Sequence, residues 1–197
     1  ALVGQLLAFS RKQTLRPEVL DLRDTLSDLT HLLNRLVGEK IQLDWTNDPD
    51  LPQIRADKRQ LEQVLMNLVV NARDAMQDGG RVRIATRAVR LSDVLARDRA
   101  KVPPGDYVVV TVEDEGCGIP ADRIAKIFEP FYSTKGVGEG IGIGLSIVYT
   151  IVNELGGRVE TGESDTGGAR FDVILRSATG AGGTVSGALA VDSTVAC

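Results

Sequence analysis

Residues 112–120 read VEDEGCGIP, and they follow directly on the apolar run YVVVTV at 107–112. The run has the β-branched and aromatic content of a buried strand. It ends in three acids, and two glycines bracket Cys117. A plain turn needs one glycine. Gly116 and Gly118, set against Asp114 and Glu115, make this strand end either an elaborate turn or a site, and the rest of the chain has to decide between them.

Composition narrows the field. The chain has 197 residues, 43% of them hydrophobic, enough to bury a real core. Its net charge is −4, with Lys and Arg spread throughout, so it carries no basic stripe of the kind a nucleic-acid binder presents. No apolar stretch approaches a membrane span, and no secretory signal opens the sequence. Cys117 and Cys197 stand in no metal-ligand spacing, and two thiols suit a reducing, cytoplasmic setting. With His31 as the single histidine, a zinc site or a Ser-His-Asp triad has almost no material.

Along the chain, ALVGQLLAFSRKQ (1–13) has helical spacing and is broken before Pro17. Asp21 is expected to cap a helix that runs to Val37 and ends at Gly38. KIQLDW (40–45) alternates as a strand. Asp57 caps a second helix, DKRQLEQVLMNLVVNARDAM (57–76), stopped by Gly79-Gly80. RVRIATRAVR (81–90) is a strand, and 91–105 is a polar connection ending in Pro103-Pro104-Gly105. A short helix is expected near Ala121–Lys126 and a longer one over 144–155. GGRVETGES and GGARFDVILR close the domain as a hairpin. The glycine-rich stretch from 177 to 197 reads as a flexible tail or linker. Strands and helices mix without strict βαβ alternation, which predicts helices covering one face of a mixed sheet.

Two features carry chemistry. Gln63, Asn67 and Asn71 recur every four residues, so they share one helix face, beside an apolar stripe of Leu61, Val64, Leu65, Leu68, Ala72 and Met76. Asparagine is a poor helix former and costly to bury unpaired. Its side-chain oxygen suits Mg²⁺, which takes few protein ligands and keeps waters and phosphate oxygens. A simply exposed polar face is the plain alternative. The second feature is the run Gly136, Gly138, Gly140, Gly142 and Gly144, which ends where a helix begins. Amides of such a loop can approach phosphate closely. The G-x-G-x-x-G and G-x-x-x-x-G-K-[ST] fingerprints both fail in every register, so this is neither a Rossmann turn nor a P-loop. A flexible linker is the plain alternative here.

Taken in order, NLVVNARDAM, DEGCGIP, FEPFYSTK and GEGIGIGL resemble the N, G1, F and G2 boxes of the GHKL group, the ATP-binding domain of sensor histidine kinases and of gyrase, MutL and heat-shock chaperone ATPases. The resemblance covers about residues 15 to 176. It implies a two-layer α/β sandwich of the GHKL (Bergerat) type, with ATP as substrate and Mg²⁺ as cofactor. It implies that Asp114 accepts a hydrogen bond from the adenine exocyclic amine, that Gly116 and Gly118 let backbone pass close to the base, and that Ile119 helps wall the pocket. Alternation puts Glu113 and Glu115 on the other face, in solvent. The resemblance further implies that Asn71 ligates Mg²⁺ and that Asn67 supports the metal or a phosphate, with Asp74 in the same ATP-binding set. Phe128 and Phe131 would pack the base of a lid, and Lys135 would reach a phosphate. Gly140, Gly142 and Gly144 would offer amides, with Ile143 and Leu145 beside the nucleotide.

There are departures. Ile141 stands where the group commonly has Thr, Ile143 where it has Leu, and Ala169 where a Thr is frequent near the adenine. The first removes a hydroxyl and places a β-branched residue in the loop. Residues 1–14 resemble the end of a dimerisation and phosphoacceptor helix, 15–176 the ATP-binding catalytic domain. The acceptor histidine of such kinases is followed by an acid, whereas His31 is followed by Leu32 and comes after the linker. His31 is therefore expected on a helix surface, with the acceptor outside this chain. The resemblance also implies a dimerisation domain and, through it, a response regulator or receiver domain as partners, a homodimeric intact protein, and membrane attachment only through further segments. An ATPase clamp of the MutL or gyrase kind and a non-catalytic nucleotide-sensing module remain open at this point.

Overall fold

The computed structural model describes residues 16–91, 95–97, 100–133 and 142–178. The elements run β1 (Glu18–Leu20), α1 (Leu22–Val37), β2 (Ile41–Asn47), β3 (Ile54–Ala56), α2 (Lys58–Asp74), β4 (Gly80–Leu91), β5 (Leu95–Arg97), β6 (Ala100–Val102), β7 (Gly105–Asp114), α3 (Gly144–Glu154), β8 (Arg158–Glu163) and β9 (Ala169–Arg176). The expected helix over 1–13, most of the glycine loop and the tail beyond Ala178 lie outside the described residues.

Both expected helix starts are set by side-chain caps. The Asp21 carboxylate accepts from Arg23 N–H at 2.9 Å. Asp57 accepts from Arg59 and Gln60 N–H at 3.0 and 3.3 Å, and its other oxygen takes Arg16 N–H at 2.9 Å. Each cap supplies acceptors to first-turn amides that have no partner in the helix, worth about 1 kcal/mol. Gly38, at φ 77°, ends α1 by donating to Asn34 O.

Five strands form one sheet in the order β2-β4-β7-β9-β8, with β2 parallel to β4 and the other neighbours antiparallel. The three helices pack on one face of this mixed sheet. Leu61, Val64, Leu65, Leu68 and Ala72 of α2 are buried in one core with Leu26 and Leu33 of α1, Val148 and Val152 of α3, and Val82, Val108, Val110, Val112 and Val173 of the strands. This is the expected two-layer sandwich, and the expected stripe of α2 is its centre. Each such side chain contributes about 1.5–3 kcal/mol when fully buried.

The opposite face is patterned differently. Asp44–Arg81, Arg83–Glu113, Arg170–Asp172 and Arg158–Glu160 ion pairs spread across it, with separations of 3.0–3.4 Å. Beside them Val89, Leu91, Tyr107, Val109 and Ile174 form a second small apolar cluster.

Three expectations are corrected. The polar connection 91–105 contains a small antiparallel pair, β5 with β6. Residues 121–128 form successive turns instead of a helix. Arg123 and Lys126 amides, and that of Glu129 just beyond, bond back three residues and Ile127 four, so no α-helical ladder develops. Glu113 is not in solvent: its side chain is 15% exposed, beneath Arg83 and Arg170. It occupies the face opposite the helices as alternation requires, but that face is covered by its own ion pairs.

Candidate functional site

Strand alternation delivers Asp114. Val108, Val110, Val112 and Asp114 point to the helix side of β7, so the carboxylate ends an otherwise apolar row. It is 5% exposed. Burial pushes its pKa up, opposed by hydrogen bonds from Ala169 and Gly116 N–H. Both bonds fall on Oδ1, at 3.0 and 2.9 Å. Oδ2 takes no hydrogen bond among the described residues.

The turn after Asp114 is pressed against the end of α2. A Cβ at Gly116 would lie 2.8 Å from Ala75 Cβ and 2.9 Å from Ala75 O, so only glycine fits. One turn earlier on α2, Asn71 lies against the start of α3: a Cβ at Gly144 would stand 3.6 Å from its Nδ2 and 3.8 Å from its Oδ1. The end of α2 thus bridges the Asp114 turn to the α3 N-terminus. Nδ2 of Asn71 and of Asn67 are both buried without a hydrogen-bond partner among the described residues. An unpaired buried donor costs about 1–3 kcal/mol, so two on one helix face suit a ligand that brings acceptors. No side-chain cap closes the N-terminus of α3, whose first helical residue is Gly144. Uncapped amides there favour an anion.

These residues fit a magnesium-bound polyphosphate. The two amide donors and the α3 N-terminus suit phosphate oxygens. A half-turn of the Asn71 amide offers its carbonyl oxygen, a hard neutral ligand, to the metal. Among the described residues no group of three His, Cys, Asp or Glu side chains could hold a metal ion alone, so the phosphates would have to supply further oxygens.

Other expected residues are placed as follows. Ile119, Phe128 and Leu145 pack at the core margin, and the Phe128 ring lies 5.3 Å from that of Tyr149 on α3. Gly118 has φ 67° and backs onto the β8–β9 turn. Gly142 and Ile143 lead into α3, with Phe131 N–H donating to Gly142 O at 3.0 Å. Phe131 does not pack among the described residues. Its φ is 68°, and the residue is 65% exposed. Asp74 lies near the end of α2. It accepts from the Arg73 guanidinium at 2.7 Å and lines a cleft of about 550 Å³ with Gly38, Lys40 and Gln77, which none of the other expected nucleotide residues reaches. Lys135, Gly140 and Ile141 lie outside the described residues. His31 is exposed on α1, as expected. Sequence reading missed Ser164, Gly168 and the Ala169 amide. Ser164 and the two glycines after Thr166 read only as turn residues.

Residues 56–179 match the family model described as histidine kinase-, DNA gyrase B- and HSP90-like ATPase. The chain belongs to this ATPase family. Within it, the similar proteins are sensor histidine kinases. The chain is 51% identical over 175 residues to sensor kinase CckA of Brucella abortus strain 2308, an alignment covering 89% of this chain and 18% of that protein. It is similar to full-length ShkA, solved in complex with AMPPNP, at 30% identity and a TM-score of 0.70 over 92% of this chain and 36% of that one. It is also similar to histidine kinase ThkA, solved in complex with response regulator protein TrrA, at 25% identity and a TM-score of 0.66 over 88% and 46%. The chain therefore spans under a fifth of that curated relative and between a third and a half of the two solved chains. It has the fold of an ATP-binding ATPase domain. No helix among the described residues is long and apolar enough to cross a membrane.

Proposed function

We propose that this chain is the catalytic domain of a cytoplasmic two-component sensor histidine kinase, and that ATP lies between the Asp114 turn, α2 and the start of α3. The observation that carries the reading is the single run of contacts from Asp114 through Gly116 and Ala75 to Asn71 and Gly144. It joins a buried carboxylate acceptor to two unpaired amide donors across the span of one helix end. Asp114 would accept from the exocyclic amine of adenine through Oδ2, while Ala169 and Gly116 N–H hold Oδ1. A carbonyl at the same place on guanine would face the carboxylate with like partial charge. Asn67, Asn71 and the α3 amides would hold the phosphates.

Mg²⁺, held by Asn71 together with phosphate oxygens, would supply charge neutralisation at the polyphosphate. The chain's own part in transfer is positioning and electrostatics. The γ-phosphoryl would pass to a histidine of a dimerisation domain in a homodimeric intact protein. A response regulator or receiver domain would then draw phosphate from that histidine. Calorimetric titration tests the site. ATP should bind with an affinity that rises on adding Mg²⁺, and GTP should bind at least about tenfold more weakly, given the charged acceptor. Equal affinity for ATP and GTP would remove Asp114 from this role.

A further inference from the structure

The turn between β8 and β9 ends on Asp114 through several groups at once. Ser164 is 6% exposed. Its Oγ donates to the Asp114 carbonyl oxygen at 2.8 Å and accepts from Gly168 N–H at 2.9 Å. Ala169, one residue on, donates its N–H to Asp114 Oδ1. The fit is backbone on backbone. A Cβ at Gly168 would stand 2.0 Å from Asp114 O, and one at Gly118 would stand 2.8 Å from Gly167 O.

The Ser164 hydroxyl is not what closes this turn. Ser164 N–H donates to Gly168 O at 2.8 Å, and Gly167 N–H donates to Ser164 O at 2.9 Å. Those two backbone bonds close it without any side chain. Besides its contacts within the turn, to Gly168 N–H at 2.9 Å and Thr166 Oγ1 at 3.1 Å, the hydroxyl provides a tie across 50 residues of sequence to the Asp114 backbone. That tie adds to the β7–β9 ladder, which reaches Glu113 and Arg170, in setting how far the turn sits from Asp114 and so how well Ala169 N–H meets Oδ1.

Resting on the reading of Asp114 as the adenine acceptor, we propose that Ser164 is a positioning residue for adenine selection. Its hydroxyl locks the β8–β9 turn onto the Asp114 backbone, so that Ala169 N–H holds Oδ1 and Oδ2 is left to the exocyclic amine. Without the hydroxyl the turn stays closed but retreats, Oδ1 loses one of its two donors, and the carboxylate is free to rotate. Recognition of the amine suffers, while phosphate binding at Asn67, Asn71 and α3 does not.

The test uses the full chain, with ATP and inosine triphosphate as probes at saturating Mg²⁺. Inosine carries a carbonyl where adenine carries the amine. Calorimetry on the unaltered chain, Ser164→Ala and Ser164→Thr gives three affinity ratios. Ser164→Ala should lose roughly fivefold to tenfold in ATP affinity, the size of one net hydrogen bond, and hold its inosine triphosphate affinity within about twofold. Ser164→Thr, which keeps the hydroxyl, should recover the ATP preference. An unchanged ratio in Ser164→Ala, or equal weakening of both nucleotides, overturns the proposal and leaves the Asp114 reading standing. An unaltered chain that binds both nucleotides alike overturns the Asp114 reading itself. Should Ser164→Ala not fold, hydrogen exchange on the unaltered chain decides. At equal saturation, Gly168 and Ala169 amides should exchange more slowly with ATP than with inosine triphosphate, because only ATP engages the clasped carboxylate. Equal exchange overturns the proposal.

Discussion

Replacing Gly168 by alanine sets a hard steric demand against the most buried part of the site. The added Cβ would lie 2.0 Å from Asp114 O, 2.6 Å from its carbonyl carbon and 2.7 Å from Oδ1. The two nearest atoms are backbone, and ordinary contact begins near 3.4 Å, so backbone must retreat by more than an ångström. That retreat breaks Gly168 N–H to Ser164 Oγ and Ala169 N–H to Asp114 Oδ1. Overpacking costs about 1–3 kcal/mol and each lost hydrogen bond about 1 kcal/mol, for a total of roughly 3–5 kcal/mol. In a domain of this size each kcal/mol lowers Tm by about 2–4 °C, so a fall of roughly 10 °C is expected. ATP affinity should fall at least about tenfold, because the displaced group is the base acceptor. Gly162→Ala is the control. A Cβ there meets nothing within 4 Å, so its effect should stay within about 0.5 kcal/mol. Thermal unfolding and ATP titration of both variants check the estimate. A Gly168→Ala protein as stable and as competent as Gly162→Ala would refute the packing argument.

Asp114→Ala should weaken ATP binding by roughly 1.5–3 kcal/mol and leave GTP nearly unaffected, as read by calorimetry. Acidification should act through the same group. Burial raises the Asp114 pKa, so the acceptor is present above that pKa and lost as pH falls through it, at a higher pH than for an ordinary aspartate. The ATP affinity of the unaltered chain relative to Asp114→Asn should therefore decline on acidification before ordinary carboxylates titrate; a flat ratio would contradict this. The ligand-free protein has the opposite sign, since a raised carboxyl pKa favours the fold when protonated. Asp114→Asn should accordingly be relatively more stable than the unaltered chain at neutral pH than in acid, as shown by unfolding curves. Asn71→Ala should reduce the Mg²⁺-dependent part of ATP affinity with little loss of fold, because it removes a buried donor that no group among the described residues uses.

Much of the fold was legible because its signals are local. Asp21 and Asp57 cap where their spacing says, and the α2 stripe is buried residue for residue. Strand alternation assigned Asp114 to one face and Glu113 to the other. The signal failed where the deciding partner is distant in sequence. Glu113 looked solvent-facing because Arg83 and Arg170, which cover it, come from two neighbouring strands. Ser164 looked like a turn residue because its partner lies 50 positions away. Residues 121–126 looked helical over too few positions to show that their amides bond back three residues, not four. Phe131 was expected to pack the base of the lid, most of which lies outside the described residues; its N–H meets Gly142 O and the residue is exposed. Asp74 shares the Asn-bearing helix, and it pairs with its neighbour Arg73 beside a second cleft.

The proposal that this domain phosphorylates a histidine outside itself is tested most directly by single-turnover transfer. The chain is mixed with γ-labelled ATP, Mg²⁺ and a separately supplied phosphoacceptor domain from a similar sensor kinase. The account predicts acid-labile label on the histidine of the supplied domain and none on this chain, with His31→Gln changing nothing. Label on His31, or ATP consumed to free phosphate with the supplied domain left unlabelled, would contradict it.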